Sequence, residues 1–484
     1  METIFTTIFT TIFTSSVAIT EISETPRYTT TGTLTISDNH LKFQTEHDFL
    51  SREPIFTATK DMKSYKVISL GGLGYSEGAY NYYVDKVIVG EIGKLTDDQY
   101  STEVMRIIRA SFSIRGLSEW LKINSLSIEC ENKEECRYTI KQKRVEPIMV
   151  FADDEQSIDI YFHPNSVPVD TDLYCTQAKI KNDPRVEIVY KKPVSSEDLK
   201  STIKSITRFF ALLAGRITYV DDIRFYVEEA NCWYSLYYNH DFSYNANFEG
   251  YELGNRSRVP YDDIKERLSD LYSNWNAIET DMDMLYLLDV YFSSHSQGHM
   301  SVEDRFLSCC KFLEGYNLRE ENDEQIAKGL EKAIVDKMKD PTVKNVLKPI
   351  FVNARVRYDA KSVASWIAQG HLERKSLNIR IKKYDDKFYN PISSNHKLIF
   401  GDGSDGLPLL DRIVLTRNYY SHFKKDDTGL LSIKEILKST NILLSLITSL
   451  LLSKIGFSIE VIGHIMNNDA MFGIYYDLPE TEIE

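Results

Sequence analysis

The sequence predicts an α+β multidomain protein, a β-rich N-terminal domain over residues 1–250 followed by an all-α helical bundle over residues 251–484. Three observations predict it. Short runs of alternating apolar and polar residues recur from about residue 20 to 195. From Tyr261 onward, apolar residues recur at three- and four-residue spacing, as amphipathic helices require. Between these regions, FSYNANFEGYELGNRSRVP is rich in Asn, Gly and Ser, which places the domain boundary there. At 484 residues the chain also exceeds one ordinary core.

The N-terminus repeats TIFT three times in a β-prone, proline-free stretch. Its period of four also fits a helical face, so strand, short helix and loose tail stay open, and no chemistry is assigned to it. Leu34 and Ile36 face Leu41 and Phe43 across Ser37-Asp38-Asn39-His40 as a hairpin. Further strands are expected at Tyr65–Leu70, Tyr82–Val89, Leu126–Cys130, Arg137–Lys141, Ile148–Phe151, Ile158–Phe162 and Val186–Tyr190. Ser195 and Asp198 form a capping box for a helix with Leu199, Ile203, Ile206, Phe210 and Leu213 on one face, closed by Gly215. Strands follow at Ile217–Val220, Ile223–Val227 and Trp233–Tyr238, and Pro260 opens the helical part. Its helices are expected at Asp262–Phe292, Val302–Tyr316, Asp323–Lys339, Val343–Val356, Ser362–Tyr384, Leu409–Lys424 and Ser432–Ile455.

Composition excludes several function classes. A net charge of −14 repels nucleic acid at long range, so such binding needs a local basic patch. The six cysteines lack CxxC spacing and read as buried apolar residues in a reducing, cytoplasmic setting. The longest apolar run, Ile442–Leu452, falls short of the roughly 20 residues that span a bilayer, so a buried helix and no membrane is expected. The leading stretch carries Glu2 and no Lys or Arg, unlike a secretory signal.

Gly71-Gly72-Leu73-Gly74 fails the dinucleotide fingerprint, with Glu77 at the third glycine, and reads as a turn between strands. His295 and His299 stand four apart across a loop-like SQG without a third metal ligand nearby. Arg374, Lys375, Arg380, Lys382, Lys383 and Lys387 form a basic cluster that reads either as a solvated face or as a guide for a polyanion.

LTRNYYSHFKKD, Leu415–Asp426, carries the chemistry. On a helix, Leu410, Ile413, Val414 and Tyr420 form an apolar stripe with Arg417 near its middle. A guanidinium there is costly unless it meets an anion, either a carboxylate or a phosphate. Asn418 and His422 share a face, while Arg417 and His422 stand about 140° apart. A phosphate-binding cation, an amide and a proton-transfer group on one helix suit phosphodiester chemistry, with no carboxylate cluster for two metals. Lys424 and Lys425 follow as further phosphate-binding cations.

Arg417-Asn418-Tyr419-Tyr420-Ser421-His422 resembles the Arg-(polar)-x-x-x-His signature of HEPN ribonuclease domains. VEDRFLSCCKFLEGYN, Val302–Asn317, resembles an early HEPN helix, whose acidic residue matches Glu314. The wider chain, including FSIRGLSEWL at Phe112–Leu121, is similar to the ApeA family of bacterial anti-phage defence proteins, which join a β-rich N-terminal domain to a C-terminal HEPN domain. Some HEPN toxins carry a tyrosine two residues after the histidine; here that position is Lys424.

The resemblance implies a metal-independent RNA endonuclease of abortive infection, with no cofactor and with RNA, tRNA among the candidates, as substrate. It also implies a homodimer or higher homo-oligomer and a β-rich domain that answers a phage-derived trigger. Arg417, His422 and Asn418 are then catalytic, and Glu314 supports Arg417. Arg380, Lys382, Lys383, Lys424 and Lys425 are expected to bind substrate. Two other readings stay open: a non-catalytic HEPN module that binds nucleotide or RNA as a sensor or scaffold, and a metalloenzyme built on His295 and His299.

Overall fold

A computed structural model describes residues 11–21, 29–37, 41–45, 55–60, 63–76, 79–90, 106–124, 126–132, 137–166, 180–215, 220–238, 257–295, 300–320, 332–353, 359, 364, 377–388, 409–422 and 428–468. The chain forms two compact units, Met1–Asn276 and Ala277–Glu484.

The first unit is built on antiparallel strands. They are β1 (Thr11–Glu21), β2 (Thr29–Ser37), β3 (Leu41–Thr45), β4 (Ile55–Lys60), β5 (Lys63–Ser76), β6 (Ala79–Gly90) and β7 (Ile107–Ile114). A short helix α1 (Leu117–Leu121) and a separate hairpin of β8 (Leu126–Asn132) and β9 (Arg137–Gln142) follow. Then come β10 (Ile148–Ala152), β11 (Gln156–Ser166), β12 (Ile180–Val194), helix α2 (Ser196–Ala214), β13 (Val220–Val227) and β14 (Cys232–Tyr238). Among the described residues twelve strands join in the order β10-β11-β12-β7-β13-β14-β6-β3-β2-β1-β4-β5. Since β5 also pairs with β6, strands β1 to β6 close into a ring, which removes that edge. At the other end β10 is the edge strand among the described residues, and a register shift between Met149 and Phe151 interrupts it.

The expected hairpin is present: Leu34 pairs with Phe43 and Ile36 with Leu41, and Leu34, Leu41 and Phe43 are buried. The third TIFT copy opens β1, which pairs with β2 and β4; the first two copies lie outside the described residues apart from their end. Gly71-Gly72-Leu73-Gly74 is not a turn. It lies inside β5, where the register on β6 shifts between Gly72 and Gly74, as glycine in a strand often signals. β7, at the centre of the sheet, was not expected. Its alternation buries Ile107, Ala110, Phe112 and Ile114, but VMRIIRA just before and within it also carries apolar residues at helical spacing.

Helix α2 forms as its signals direct. The Ser195 Oγ accepts from the Asp198 backbone N–H at 3.1 Å, and the Asp198 carboxylate accepts from the Ser195 N–H at 3.1 Å. Gly215 ends it at φ +78°, and a Cβ there would meet Arg258 Cβ at 3.1 Å. The last carbonyls of α2 are satisfied from beyond the Asn- and Gly-rich stretch. Arg258 Nη1 donates to Leu212 O at 2.9 Å, Val259 N to Leu213 O at 2.9 Å and Arg258 N to Ala214 O at 3.3 Å. Trp120 Nε1 donates to Val259 O at 2.7 Å, and Trp275 Nε1 to Ser205 O at 3.1 Å. Phe209 packs edge-on against Tyr272. These contacts carry the first unit to Asn276, beyond the compositional break.

The expected long helix Asp262–Phe292 is divided. Two 3₁₀ turns, Tyr261–Asp263 and Lys265–Arg267, lead into α3 (Leu268–Thr280), and α4 (Met282–His295) starts after Asp281. The Asp281 side chain accepts from the Asp283 N–H at 2.9 Å, so a capping residue inside the apolar pattern restarts the helix.

The second unit is helical. It holds α5 (Val302–Glu320), α6 (Pro341–Asn353), α7 (Leu377–Phe388), α8 (Leu409–His422), α9 (Ile433–Lys454) and α10 (Ile459–Asn468), with a shorter helix at 332–338. α9 starts on a second capping box, Ser432 with Glu435, and packs against α5, α7 and α10. By length and composition α9 could cross a membrane, but 78% of its apolar window is buried in the protein, as expected of a core helix. Inside, Tyr291 and Thr448 share a hydroxyl hydrogen bond of 2.9 Å.

Candidate active site

Helix α8 is held from three sides before any functional group is considered. Ile413 and Thr416 are fully buried, and the Thr416 hydroxyl accepts from the Leu431 N–H at 2.9 Å. Asn378 on α7 donates to the Asp411 carboxylate at 2.9 Å. Arg412 grips Glu435 with two hydrogen bonds of 2.6 and 2.8 Å and donates to the Leu430 carbonyl at 3.0 Å. This fork ties α8 to the start of α9 across the segment that follows His422.

Burial pushes the Glu435 carboxyl upward, but its hydrogen bonds from Arg412 and Ser432 outweigh burial and hold it below the ordinary carboxylate range. A carboxyl depressed on folding adds stability above its unfolded value, and that stability is lost as pH falls through the folded value. The helical unit therefore loosens in acid below the ordinary carboxylate range. Glu435→Gln flattens that limb of a pH-dependent urea-unfolding series; an unchanged acid limb would count against the clamp.

At the end of α8 three side chains meet Arg417. Its Nη2 donates to Glu314 Oε2 at 2.6 Å, and its Nη1 donates to Asn418 Oδ1 at 2.9 Å and lies 3.3 Å from His422 Nε2. A guanidinium has no acceptor, so this contact uses the Nε2 lone pair. The stripe argument for an anion is met by the α5 carboxylate, with Arg417 and Glu314 side chains 24% and 26% exposed. The 140° separation is spanned by the length of the arginine, so Arg417 and His422 meet within one chain. His422 itself is exposed at the helix end, where a substrate can reach it.

Behind this group, α5 carries Cys309 and Cys310, both buried. Burial pushes the Cys309 thiol up to about 12 and the Cys310 thiol well above its ordinary value, with Cys309 and Glu314 adding to the latter and Arg417 opposing. Both stay protonated and unreactive near neutrality. They are expected to resist a thiol reagent at pH 8 until the protein is unfolded; rapid labelling of the native protein would contradict this.

The basic cluster divides. Arg380 is not on a solvated face: it is 7% exposed and its Nη1 donates to the Glu314 backbone carbonyl at 3.3 Å. The one-dimensional pattern hid this, because Arg380 shares its helix with the buried Leu377, Ile381, Tyr384 and Phe388. Lys382 and Lys383 are exposed, Lys382 beside Asp386 at 3.6 Å and Lys383 over the Tyr384 ring. Arg374, Lys375, Lys424, Lys425 and His299 lie outside the described residues, as does the side chain of His295. Among the described residues no group of three or more His, Cys, Asp or Glu side chains is placed to hold a metal ion.

Sequence reasoning named Arg417, Asn418, His422 and Glu314, and all four converge. It missed Arg412, Asp411, Asn378 and Thr416, whose partners lie on other helices or in the segment just before α9. Only the Ser432–Glu435 capping box had a local signal.

Two family models match the chain, ApeA N-terminal domain 1 over residues 19–275 and Apea-like HEPN over residues 307–461. No curated protein and no solved structure matches it. The second match contains Glu314 and the whole Arg417–His422 segment. With the β-rich unit and the helical unit each matched by its counterpart, the chain belongs to the ApeA family, and its HEPN domain is of a kind that suggests an anti-phage defence nuclease family.

Proposed function

We propose that this protein is an RNA endonuclease of abortive infection that cleaves by internal transesterification, without a metal ion. The observation that carries the reading is the Arg417 guanidinium, anchored by Glu314 and in reach of the His422 imidazole. RNA supplies its own nucleophile. A base takes the 2′-hydroxyl proton, the 2′-oxygen bonds to the adjacent phosphorus, the bond from phosphorus to the 5′-oxygen breaks, and that oxygen receives a proton. An imidazole can serve as either base or acid, which suits His422 to this proton transfer. Arg417 offers paired N–H groups to the phosphate and to the charge that grows on it in the transition state. Asn418 and Glu314 orient Arg417, and DNA, without the 2′-hydroxyl, is spared.

Two copies facing one cleft supply a separate acid and base, so a homodimer is the working form. The β-rich unit holds the nuclease in check until a phage-derived trigger arrives, in the cytoplasm where RNA is abundant; tRNA is a substrate whose loss stops translation. Sequencing RNA ends from cells expressing wild type or His422→Ala tests the chemistry. Wild-type cells are expected to accumulate 2′,3′-cyclic phosphate and 5′-hydroxyl ends; 3′-hydroxyl and 5′-phosphate ends instead would refute it.

The basic residues separate two roles. Lys382→Glu with Lys383→Glu is expected to weaken RNA binding several-fold and to flatten its salt dependence, with the rate at saturating RNA kept. Arg380→Met is expected to lower that saturated rate instead, because the Glu314 turn loses its brace. Equal behaviour of the two variants would contradict this division.

A further inference from the structure

The sheet of the first unit has one face that its core does not use. Ile158, Ile188, Ala110 and Phe225 are paired across β11, β12, β7 and β13 and are fully buried on one side, and α2 packs against β7. The residues between them point the other way. Asp159, Glu187, Ser111 and Arg224 form one row of that open side, Val189, Arg109, Tyr226 and Trp233 a second, and Tyr161, Arg185 and Ser113 a third, beside the register shift that holds Asp222. An antiparallel sheet that leaves one face to water shows polar residues there. This face also exposes Val189 at 41%, Trp233 at 42% and, on β10 beside Asp159, Met149 at 55%.

Its charges balance. Among the described side chains Arg109, Arg185 and Arg224 stand with Asp159, Glu187 and Asp222. Arg109 is bound to Glu187 and lies over the Trp233 ring. Arg185 is buried and donates to Ser111 Oγ at 3.0 Å and to Asp222 Oδ2 at 2.8 Å. The two flanks are left incomplete. On β13, Arg224 meets Asp222 but is 56% exposed. On β11, Asp159 has no cation in ion-pair reach among the described residues, and burial, then the Glu187 carboxylate, push its carboxyl upward.

We infer that this open face pairs with the same face of a second copy, about a two-fold axis that runs along the strands between β12 and β7. That axis sets β11 over the partner's β13 and β12 over the partner's β7. Row by row, Asp159 then meets the partner's Arg224, Tyr161 the partner's Asp222, and Val189 the stem of the partner's Arg109. Glu187 faces the partner's Ser111, and Arg185 the partner's Ser113, so no two like charges oppose each other. Self-complementarity of this kind is what a two-fold interface requires. An aspartate and an arginine together span the roughly 10 Å between packed sheets.

Other occupants fit less well. A balanced face does not hold a polyanion, and a flat one lacks the concavity that a small ligand needs. Two chains of net charge −14 repel each other on approach, least where the facing surfaces are neutral. Five strands and three rows cover roughly 24 Å by 20 Å. That area lies at the low end of specific interfaces, so the pairing is reversible and depends on concentration.

The test is sedimentation equilibrium of the full chain across a range of concentrations, with circular dichroism of each variant as the check on folding. Asp159→Arg and Arg224→Glu each set like charges face to face. Each is expected to weaken self-association at least about tenfold, so that the mass falls about twofold or more where wild type is paired. Mixed in equal amounts, the two variants restore both ion pairs, and the mass should return to that of wild type. Asp159→Asn and Arg224→Gln, neutral changes at partly exposed side chains, should weaken pairing severalfold and carry the test if a reversed charge disturbs the sheet. A mass unmoved by these changes, or a mixture that stays at the lower mass, would overturn the pairing. The inference stands apart from the nuclease reading. The mass falls whether or not the helical units also pair, and His422→Ala leaves it unmoved.

Discussion

His422→Ala is expected to slow RNA cleavage about 10²–10⁴-fold, the usual contribution of a positioned acid or base. Arg417→Ala is expected to cost about 10²–10³-fold, the range seen when one donor to a growing negative charge is removed. Neither change should unfold the protein. His422 is exposed and Arg417 is half-buried, whereas α8 is held by Thr416, Arg412 and Asp411. Arg417→Lys should recover little, because an ammonium cannot reproduce two parallel bonds to one phosphate while also holding Glu314. The measurement is single-turnover cleavage of ordinary RNA in excess chelator, with circular dichroism as the check on folding, and toxicity of each variant in growing cells. Cleavage by folded His422→Ala at the wild-type rate would end the nuclease reading and favour the non-catalytic binding module. In that case charge reversal at Lys382 and Lys383 would remove the biological effect that His422→Ala spares.

The largest stability effect is expected at Trp275→Ala. Trp275 is fully buried, packs against Phe209 and donates its ring N–H to Ser205 O. Removing it takes away a large apolar surface and leaves a cavity, at a cost of about 3–5 kcal/mol. The loss should appear as an earlier urea transition of the first unit, with the transition of the helical unit unmoved. Trp233→Ala makes the contrast. Trp233 is 42% exposed, and its loss should cost about 1 kcal/mol or less. Equal shifts for the two would contradict the packing described for α2 and α3. By the same reasoning a fragment ending at Gly250 lacks Val259, Tyr272 and Trp275, which cover and cap α2, and should aggregate.

Much of the fold was readable because its signals are short-range. Ser195, Asp198 and Gly215 delimit α2 within a few residues of their own partners. Leu34 and Ile36 meet Phe43 and Leu41 within ten residues of chain. Where two local patterns coincide the reading fails, as with β7, or a capping residue hidden in an apolar run divides a helix, as Asp281 does. The site followed the same rule. Arg417 in an apolar stripe required an anion, and spacing put Asn418 and His422 on one face, but spacing alone left Arg417 and His422 apart.

By itself, then, the sequence determined a β-rich part followed by a helical one, the helices and strands with strong periodicity, and a cation, an amide and an imidazole on one helix end. The tertiary structure decided which anion Arg417 meets, since Glu314 stands 103 residues away, and that Arg380 is an interior brace rather than a surface cation. It also decided that the Asn- and Gly-rich stretch does not end the first unit, because Val259 and Trp275 return to α2. The reason is physical. Caps, turns and amphipathic faces are set by neighbours a few residues away, whereas a buried charge takes whichever partner the packing of distant helices brings within hydrogen-bond reach.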